Sequence, residues 1–357
     1  MKKNIETGQP QERSGAGLVI QPTIPWLAPL AGYSNLPFRL LCRELGAGVA
    51  CTEMVSAKGI YYSLNQARLP TLEQINRKAG KASWALLASP PEDGPLVIQL
   101  FGVEADIMQA AAEAIVELFT GREVYFDLNM GCSVPKVVKT GAGAAMLDDI
   151  PNALKVAKGL IAVAGPGRVG FKLRLGWLKG NDVYLDLAKG LESAGAAWVS
   201  MHPRYGRQGY SGQADWAKLK MLKQSVNIPV VASGDLLSAG AAKACLENTG
   251  VDAVMFARGA MNNPFIFREF NQLMQTGEVV PPSADELLAA IEKHRQFARA
   301  WLDDRYALSQ MRGFIPRYAH HFPGVRTLRQ NLSVCQTWAD MDIVISKFML
   351  TLREAGE

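Results

Sequence analysis

From residue 26 onward the chain alternates short apolar runs with segments of helical periodicity. The runs Trp26–Leu30, Val49–Glu53, Leu96–Phe101, Val124–Leu128, Val169–Leu173, Ala197–His202, Pro229–Ser233 and Asp252–Ala257 have the length and continuity of buried strands. Ala105–Phe119, Ile150–Ala164, Val183–Ala194 and Ala239–Asn248, lying between them, carry apolar residues at helical spacing. Strands alternating with helices in this number, over about 240 residues, are the arithmetic of a (β/α)8 barrel. An open, doubly wound sheet is the competing arrangement, but no Gly-x-Gly-x-x-Gly turn follows the first run. The expected fold is therefore an α/β TIM barrel.

Two interruptions divide the pattern. The stretch 71–95, with Pro90-Pro91-Glu92-Asp93-Gly94-Pro95, reads as a long loop before the third strand. A second break around Gly277–Ser283 precedes a segment with helical periodicity alone, for which Ser283 or Asp285 would be the first cap. The expected organisation is a flexible lead-in at 1–20, a catalytic barrel over 21–278 and a small helical domain over 283–357.

Composition narrows the class without choosing a function. With 48% hydrophobic and 20% charged residues, the chain is an ordinary globular one. No apolar run is long enough to span a bilayer, and residues 1–17 lack the apolar core of a signal peptide. The five cysteines are odd in number and scattered, with no pair at metal-ligand spacing, which points to free thiols in a reducing cytoplasm and to no metal. A net charge of +5 permits a polyanionic partner without requiring one.

Chemistry collects where the strands end. In such a barrel the active site forms at the C-terminal ends of the strands. There the sequence places Pro29, Leu30 and Ala31 after the first strand, Gln99 after the third, Asn129 and Cys132 after the fourth, and Lys172 and Arg174 after the fifth. His202 and Arg204 follow the sixth, Ser233-Gly234-Asp235 the seventh and Ala257-Arg258-Gly259 the eighth. The last two groups are short glycine-containing turns that lead into helices, suited to presenting backbone N–H groups to a phosphate, with Arg258 adding charge. Gln99 and Asn129 can both donate and accept, and Lys172 can balance negative charge on a ring. A phosphate site beside such a rim suggests bound FMN. Cys132, a thiol at a strand exit, is a candidate catalytic acid or nucleophile.

These residues resemble those of the tRNA-dihydrouridine synthases, flavoenzymes that reduce uridines in transfer RNA. The resemblance runs from about Pro25 to Leu332. It rests on Ala28-Pro-Leu-Ala-Gly-Tyr-Ser-Asn-Leu-Pro-Phe-Arg39, Thr52-Glu-Met-Val-Ser56, Val97-Ile-Gln-Leu-Phe-Gly102 and Asp127-Leu-Asn-Met-Gly-Cys132. It continues through Pro135-Lys-Val-Val-Lys139, Lys172-Leu-Arg-Leu-Gly-Trp177, Gly209-Tyr-Ser-Gly212 and Phe322-Pro-Gly324. The resemblance implies an FMN barrel, NADPH as reductant, a helical RNA-binding domain and tRNA as partner. Pro29, Leu30, Ala31, Gln99, Lys172, Ser233, Gly234, Asp235, Ala257 and Arg258 would hold FMN, with Asn129 and His202 near the flavin or the target base. Hydride would pass from N5 of the flavin to C6 of uracil, while Cys132 protonates C5. The chain departs from the family pattern at Ser133, Ser233, Ala257 and His202-Pro-Arg-Tyr-Gly206, the last of these being a segment expected to meet phosphate or substrate.

For RNA contact the expected residues are Lys136, Lys139, Arg174, Arg204, Arg295, Arg312 and Arg317. From Lys293 to Arg329 the tail carries eight Lys or Arg residues against Asp303 and Asp304, interleaved with aromatics. Three other readings stay open at this point: an FMN barrel acting on a small enone or pyrimidine, a related enzyme acting on ribosomal RNA, and a flavin-bearing RNA-binding factor without reductase activity. No protein partner is implied, and a monomer is expected.

Overall fold

Parallel strands close on themselves in the computed structural model, which describes residues 17–64, 69–76 and 83–356. The ring consists of β1 (Trp26–Leu27), β2 (Val49–Cys51), β4 (Leu96–Phe101), β5 (Val124–Met130), β6 (Val169–Leu173), β7 (Trp198–Met201), β8 (Val230–Ala232) and β9 (Ala253–Phe256). A two-residue strand, β3 (Val55–Ser56), adds to the end of β4. Because β1 pairs with both β2 and β9, and β2 with β4, the barrel has no free edge. The expected lead-in at 1–20 falls mostly outside the described residues. Among these, no helix is long and apolar enough to cross a membrane.

The strand boundaries follow from local chemistry. β1 leaves the ladder after Leu27, short of the expected Leu30, because Pro29 has no N–H to donate. β5 runs two residues further than its apolar stretch, to Met130, and so brings Asn129 into register opposite Lys172.

Alternate residues of each strand point into the barrel. At one level the interior is apolar, with Trp26, Val49, Val97, Tyr125 and Trp198 in one buried cluster. The two tryptophans meet edge to face at 5.6 Å. Gly170 makes that packing possible, since a Cβ there would lie 1.9 Å from Trp198 Cε2. Two residues further along the same strands the interior turns polar, through Gln99, Asp127, Lys172 and Ser200, with Asn129 and His202 beyond them. The apolar plug thus confines the polar layer to the C-terminal mouth.

Two expectations are corrected in detail. The stretch 71–95 is not structureless: it carries a short helix at Leu72–Asn76 and a 3-10 turn at Ser83–Leu87. Its Asp93 is fully buried, where Arg39 and Arg43 both donate to it. In the tail, Ser283 rather than Asp285 caps the first helix, completing a capping box with Glu286.

The tail consists of helices Ala284–Trp301, Asp304–Tyr318, Val325–Val334 and Trp338–Gly356. It docks on the barrel helix Leu36–Glu44, where the rings of Phe38, His294 and Phe314 lie 4.7–5.9 Å apart. Burial of His294 without a charged partner pushes its imidazole down to about 3.

Candidate active site

A chain of hydrogen bonds crosses the barrel mouth. Gln99 Nε2 donates to Asp127 Oδ2 at 2.6 Å, and Asn129 Nδ2 donates to Gln99 Oε1 at 2.8 Å. Asn129 Oδ1 then accepts from the backbone N–H groups of Gly131 and Cys132, at 3.1 and 2.9 Å. The loop is closed from below, where Ala144 N–H donates to Cys132 O. It is also closed from the side, where Arg174 Nε donates to Gly131 O at 2.7 Å. Cys132 is therefore fixed by its backbone while its side chain stays half-buried at the rim. Cys42, Cys51, Cys245 and Cys335 are all buried.

Beneath this chain lie a buried carboxyl and a half-buried amine. Burial pushes Asp127 up to about 7, against the lowering effects of the Gln99 hydrogen bond and the Lys172 charge. Lys172 is pushed down to about 8, again chiefly by burial, with Asp127 opposing. A lysine so poised can carry or lose its charge in response to a ligand above it.

Beside Lys172 opens a concavity. Its lining includes Pro29, Leu30, Lys172, His202, Ser233, Gly234, Asp235, Ala257 and Arg258, so the structure gathers most of the expected cofactor residues in one place. Gln99, Asn129 and Cys132 belong to the adjoining hydrogen-bond chain, and Ala31 stands exposed at the rim. Gly234 has φ +107°, and a Cβ there would lie 2.6 Å from His202 Cδ2. Only glycine fits that turn. Among the described residues, the N–H groups of Gly234, Asp235 and Leu236, which line the cavity, have no hydrogen-bond acceptor.

Electrostatics on this wall are organised by Asp235. Its carboxylate accepts from Arg204 at 2.7 and 2.9 Å, from Arg258 at 2.9 Å and from Ala214 N–H at 2.7 Å. Partial burial acts to raise it, but those bonds and charges together hold it below the usual carboxylate range. Arg204 Nη1 also lies 2.9 Å from His202 Nε2. Guanidinium can only donate, so Nε2 accepts and the imidazole proton sits on Nδ1. Burial, together with Lys172, Arg174, Arg204 and Arg258, pushes His202 down to about 2 and keeps it neutral. Tyr210 completes the wall: its ring is stacked on His202 at 6.0 Å and lies 4.5 Å beneath the Arg258 guanidinium.

Three of the arginines expected to contact RNA are buried. Arg204 is 1% exposed and bound to Asp235. Arg174 is buried, donating to the carbonyls of Gly131, Tyr205 and Gly209. Arg295 is buried between Glu292 and Asp342. Each has carbonyls or carboxylates that offset its desolvation. Arg312 is half-buried and donates to Cys335 O, and Arg317 donates to Tyr33 OH and Asn262 Oδ1. Lys136 and Lys139 are exposed beside the Cys132 loop. Two residues were missed by the sequence reading. Tyr210 lies in a loop whose packing no periodicity reveals. Asp127 shares strand alternation with Asn129, and that signal was available.

Comparison with known proteins gives one consistent result. A family model described as "Dihydrouridine synthase (Dus)" matches residues 26–352. The "Probable tRNA-dihydrouridine synthase 1" of Synechocystis sp. is 36% identical over 307 residues, covering 85% of this chain and 80% of that protein. The "tRNA-dihydrouridine synthase B" of Pseudomonas putida is 35% identical over 312 residues, covering 87% and 86%. The "Probable tRNA-dihydrouridine synthase" of Mycobacterium tuberculosis is 32% identical over 337 residues, covering 90% and 81%. Likeness to solved structures is weaker: morphinone reductase aligns at a TM-score of 0.49 with 17% identity, covering 76% of this chain and 90% of that one.

Proposed function

This chain belongs to the dihydrouridine synthase family, and on that footing we propose that it reduces uridine in tRNA to 5,6-dihydrouridine with FMN as cofactor and NADPH as reductant. The observation that carries the reading is the pinned Cys132 at a mouth whose opposite wall offers free backbone donors and Arg258.

The residues present fit FMN. The glycine-only turn at Gly234, with its unpaired N–H groups, and Arg258 would take the phosphate. Gln99, Asn129, Lys172 and His202 would meet the polar edge of the ring, with Pro29, Leu30 and Ala31 along its flank. Ser233 and Ala257 line the same wall, and Asp235 acts through Arg258, whose guanidinium it orients. When bound, FMN would supply the hydride chemistry for reduction of the uracil at C6, with NADPH as the reductant.

The protein's own part is to bind, orient and protonate. Cys132 delivers the proton to C5 from the side chain of a loop that Asn129, Ala144 and Arg174 hold from three directions. Neutral His202 presents Nδ1–H as a donor in the cavity, and Lys172 balances negative charge on the reduced ring. The target base must first leave its stack, at a cost of a few kcal/mol that phosphate contacts elsewhere offset. Exposed Lys136 and Lys139 beside the loop, and Arg305, Arg326 and Arg329 on the tail, supply charge for those contacts.

The test is to incubate the FMN-loaded protein and NADPH with unmodified tRNA, then look for uridines heavier by two hydrogens. Formation of dihydrouridine supports the reading. Flavin binding with turnover of a small enone, and no RNA product, would replace it with a small-molecule reductase.

A further inference from the structure

We propose that Asp127 is a positioning residue for Cys132, acting through the ordered chain Asp127–Gln99–Asn129 that sets which atom of Asn129 faces the cysteine loop. The inference extends the reading of Cys132 given above and concerns a residue that neither touches the cavity nor carries any assigned role.

The argument rests on hydrogen-bond polarity. A primary amide has one accepting end and one donating end, and nothing in its shape decides which way it points. Asn129 must turn Oδ1 toward the loop, because the groups there are the N–H donors of Gly131 and Cys132. That leaves Nδ2 to donate to a neighbour, which is Gln99 Oε1. Gln99 must then turn Nε2 the other way, where it meets Asp127 Oδ2 at 2.6 Å. Above about pH 7 Asp127 is a carboxylate, which accepts and cannot donate, whereas an amide can turn either end to Gln99, so in that range Asp127 fixes the sense of the chain at its buried end. Asp127 is 2% exposed and Gln99 1% exposed, too deep for solvent to correct a reversed link. With an amide at 127, both directions become available. In the reversed one, Asn129 presents Nδ2 to two N–H groups, and the loop loses its acceptor.

The register explains why the chain reaches so far. Gln99 and Asp127 are paired across β4 and β5, and Asp127 and Asn129 lie on the same face of β5 two residues apart. A single glutamine side chain can therefore bridge both.

The experiment measures hydrogen exchange at the Gly131 and Cys132 amides by mass spectrometry with residue-resolved fragmentation, in the FMN-loaded full-length protein. D127N should speed exchange at both amides at least about fivefold, through loss of their shared acceptor. The double variant D127N/Q99E restores polarity: the amide placed at 127 can donate to the carboxylate placed at 99, whose other oxygen accepts from Asn129. Exchange should return to within about twofold of the unmodified protein. Q99M keeps the Asp127 charge but cuts the chain, so it should match D127N, and it replaces D127N if that variant does not fold. Dihydrouridine formation by D127N should fall in parallel with its faster exchange, whereas for the Gln99 variants exchange alone is the readout, since Gln99 also meets the ring. The proposal is overturned if D127N and Q99M exchange like the unmodified protein, or if the double variant exchanges as fast as D127N. Absence of product from the unmodified protein would instead count against the proposed reaction and leave the exchange result standing.

Discussion

Arg204 and Asp235 form a two-point ion pair across the mouth of the barrel, with Nη2 at 2.7 Å from Oδ2 and Nη1 at 2.9 Å from Oδ1. The pair joins the end of β7 to the turn after β8. It also connects the tautomer of His202 to the orientation of Arg258, because Arg204 donates to the imidazole and Asp235 accepts from Arg258.

Removing the carboxylate leaves Arg204 buried without its counter-charge. Asp235→Ala should destabilise the protein by about 1–3 kcal/mol, the usual cost of leaving a buried donor without its acceptor. FMN retention should weaken at least about tenfold as Arg258 loses its anchor. Thermal unfolding and flavin fluorescence titration check the two effects, and unchanged flavin affinity would detach Arg258 from the phosphate.

Cys132→Ala should separate the two half-reactions. NADPH oxidation by the bound flavin should continue, while dihydrouridine formation drops by about 10²–10⁴-fold, the usual contribution of a positioned acid. Stopped-flow absorbance follows the first and mass analysis of tRNA the second. Equal loss in both would remove the cysteine from the protonation step.

The pH dependence of stability carries the signature of Asp127. Its folded value, about 7, lies above the ordinary 3.8, so between those values the folded state holds more protons than the unfolded state. Its contribution to stability is fully present below pH 3.8 and is lost as pH rises through 7. His202 and His294 act oppositely, held at about 2 and about 3 when folded, and their contribution is lost as pH falls below 6.5. Unfolding midpoints of the unmodified protein minus those of D127N, taken from about pH 4 to about pH 7.5, should therefore decline with rising pH. A flat difference would mean that Asp127 is ionised throughout.

For RNA binding, the exposed cations are the relevant ones. Replacing Arg305, Arg326 and Arg329 together by Gln should weaken tRNA binding and flatten its dependence on salt, by about 0.7–0.9 in log–log slope for each phosphate left without its cation. Arg295→Gln should instead act mainly on stability, since its guanidinium is buried against Glu292 and Asp342. Filter binding at several salt concentrations distinguishes them.

Much of the frame could be read before any coordinates. Continuous apolar runs located β2 and β4 to β9 to within a few residues, because a parallel barrel buries its strands on both faces. β1 was overextended because apolar character does not register the missing N–H of Pro29. The strand ends also gave up Lys172, His202, Gly234 and Arg258, which the fold does bring to one cavity. Arginine was the weak point. Arg174, Arg204 and Arg295 look in sequence like surface charge, and only three-dimensional neighbours show the carbonyls and carboxylates that hold them inside. Asp127 stands in the sequence only as the first residue of the Asp127–Cys132 motif, since its partner Gln99 lies 28 positions away along the chain.

Arg317, on the tail helix Asp304–Tyr318, donates to Tyr33 OH at 3.2 Å and lies 5.4 Å from the centre of that ring. Tyr33 follows the strand that leads into Pro29 and Leu30, so the tail is tied to the same loop that flanks the cavity. The two parts are thus not freely interchangeable modules. A chimera that grafts a foreign tail onto this barrel inherits a mismatched seam unless positions 33 and 317 travel together, and its first defect would appear at the mouth rather than at the graft.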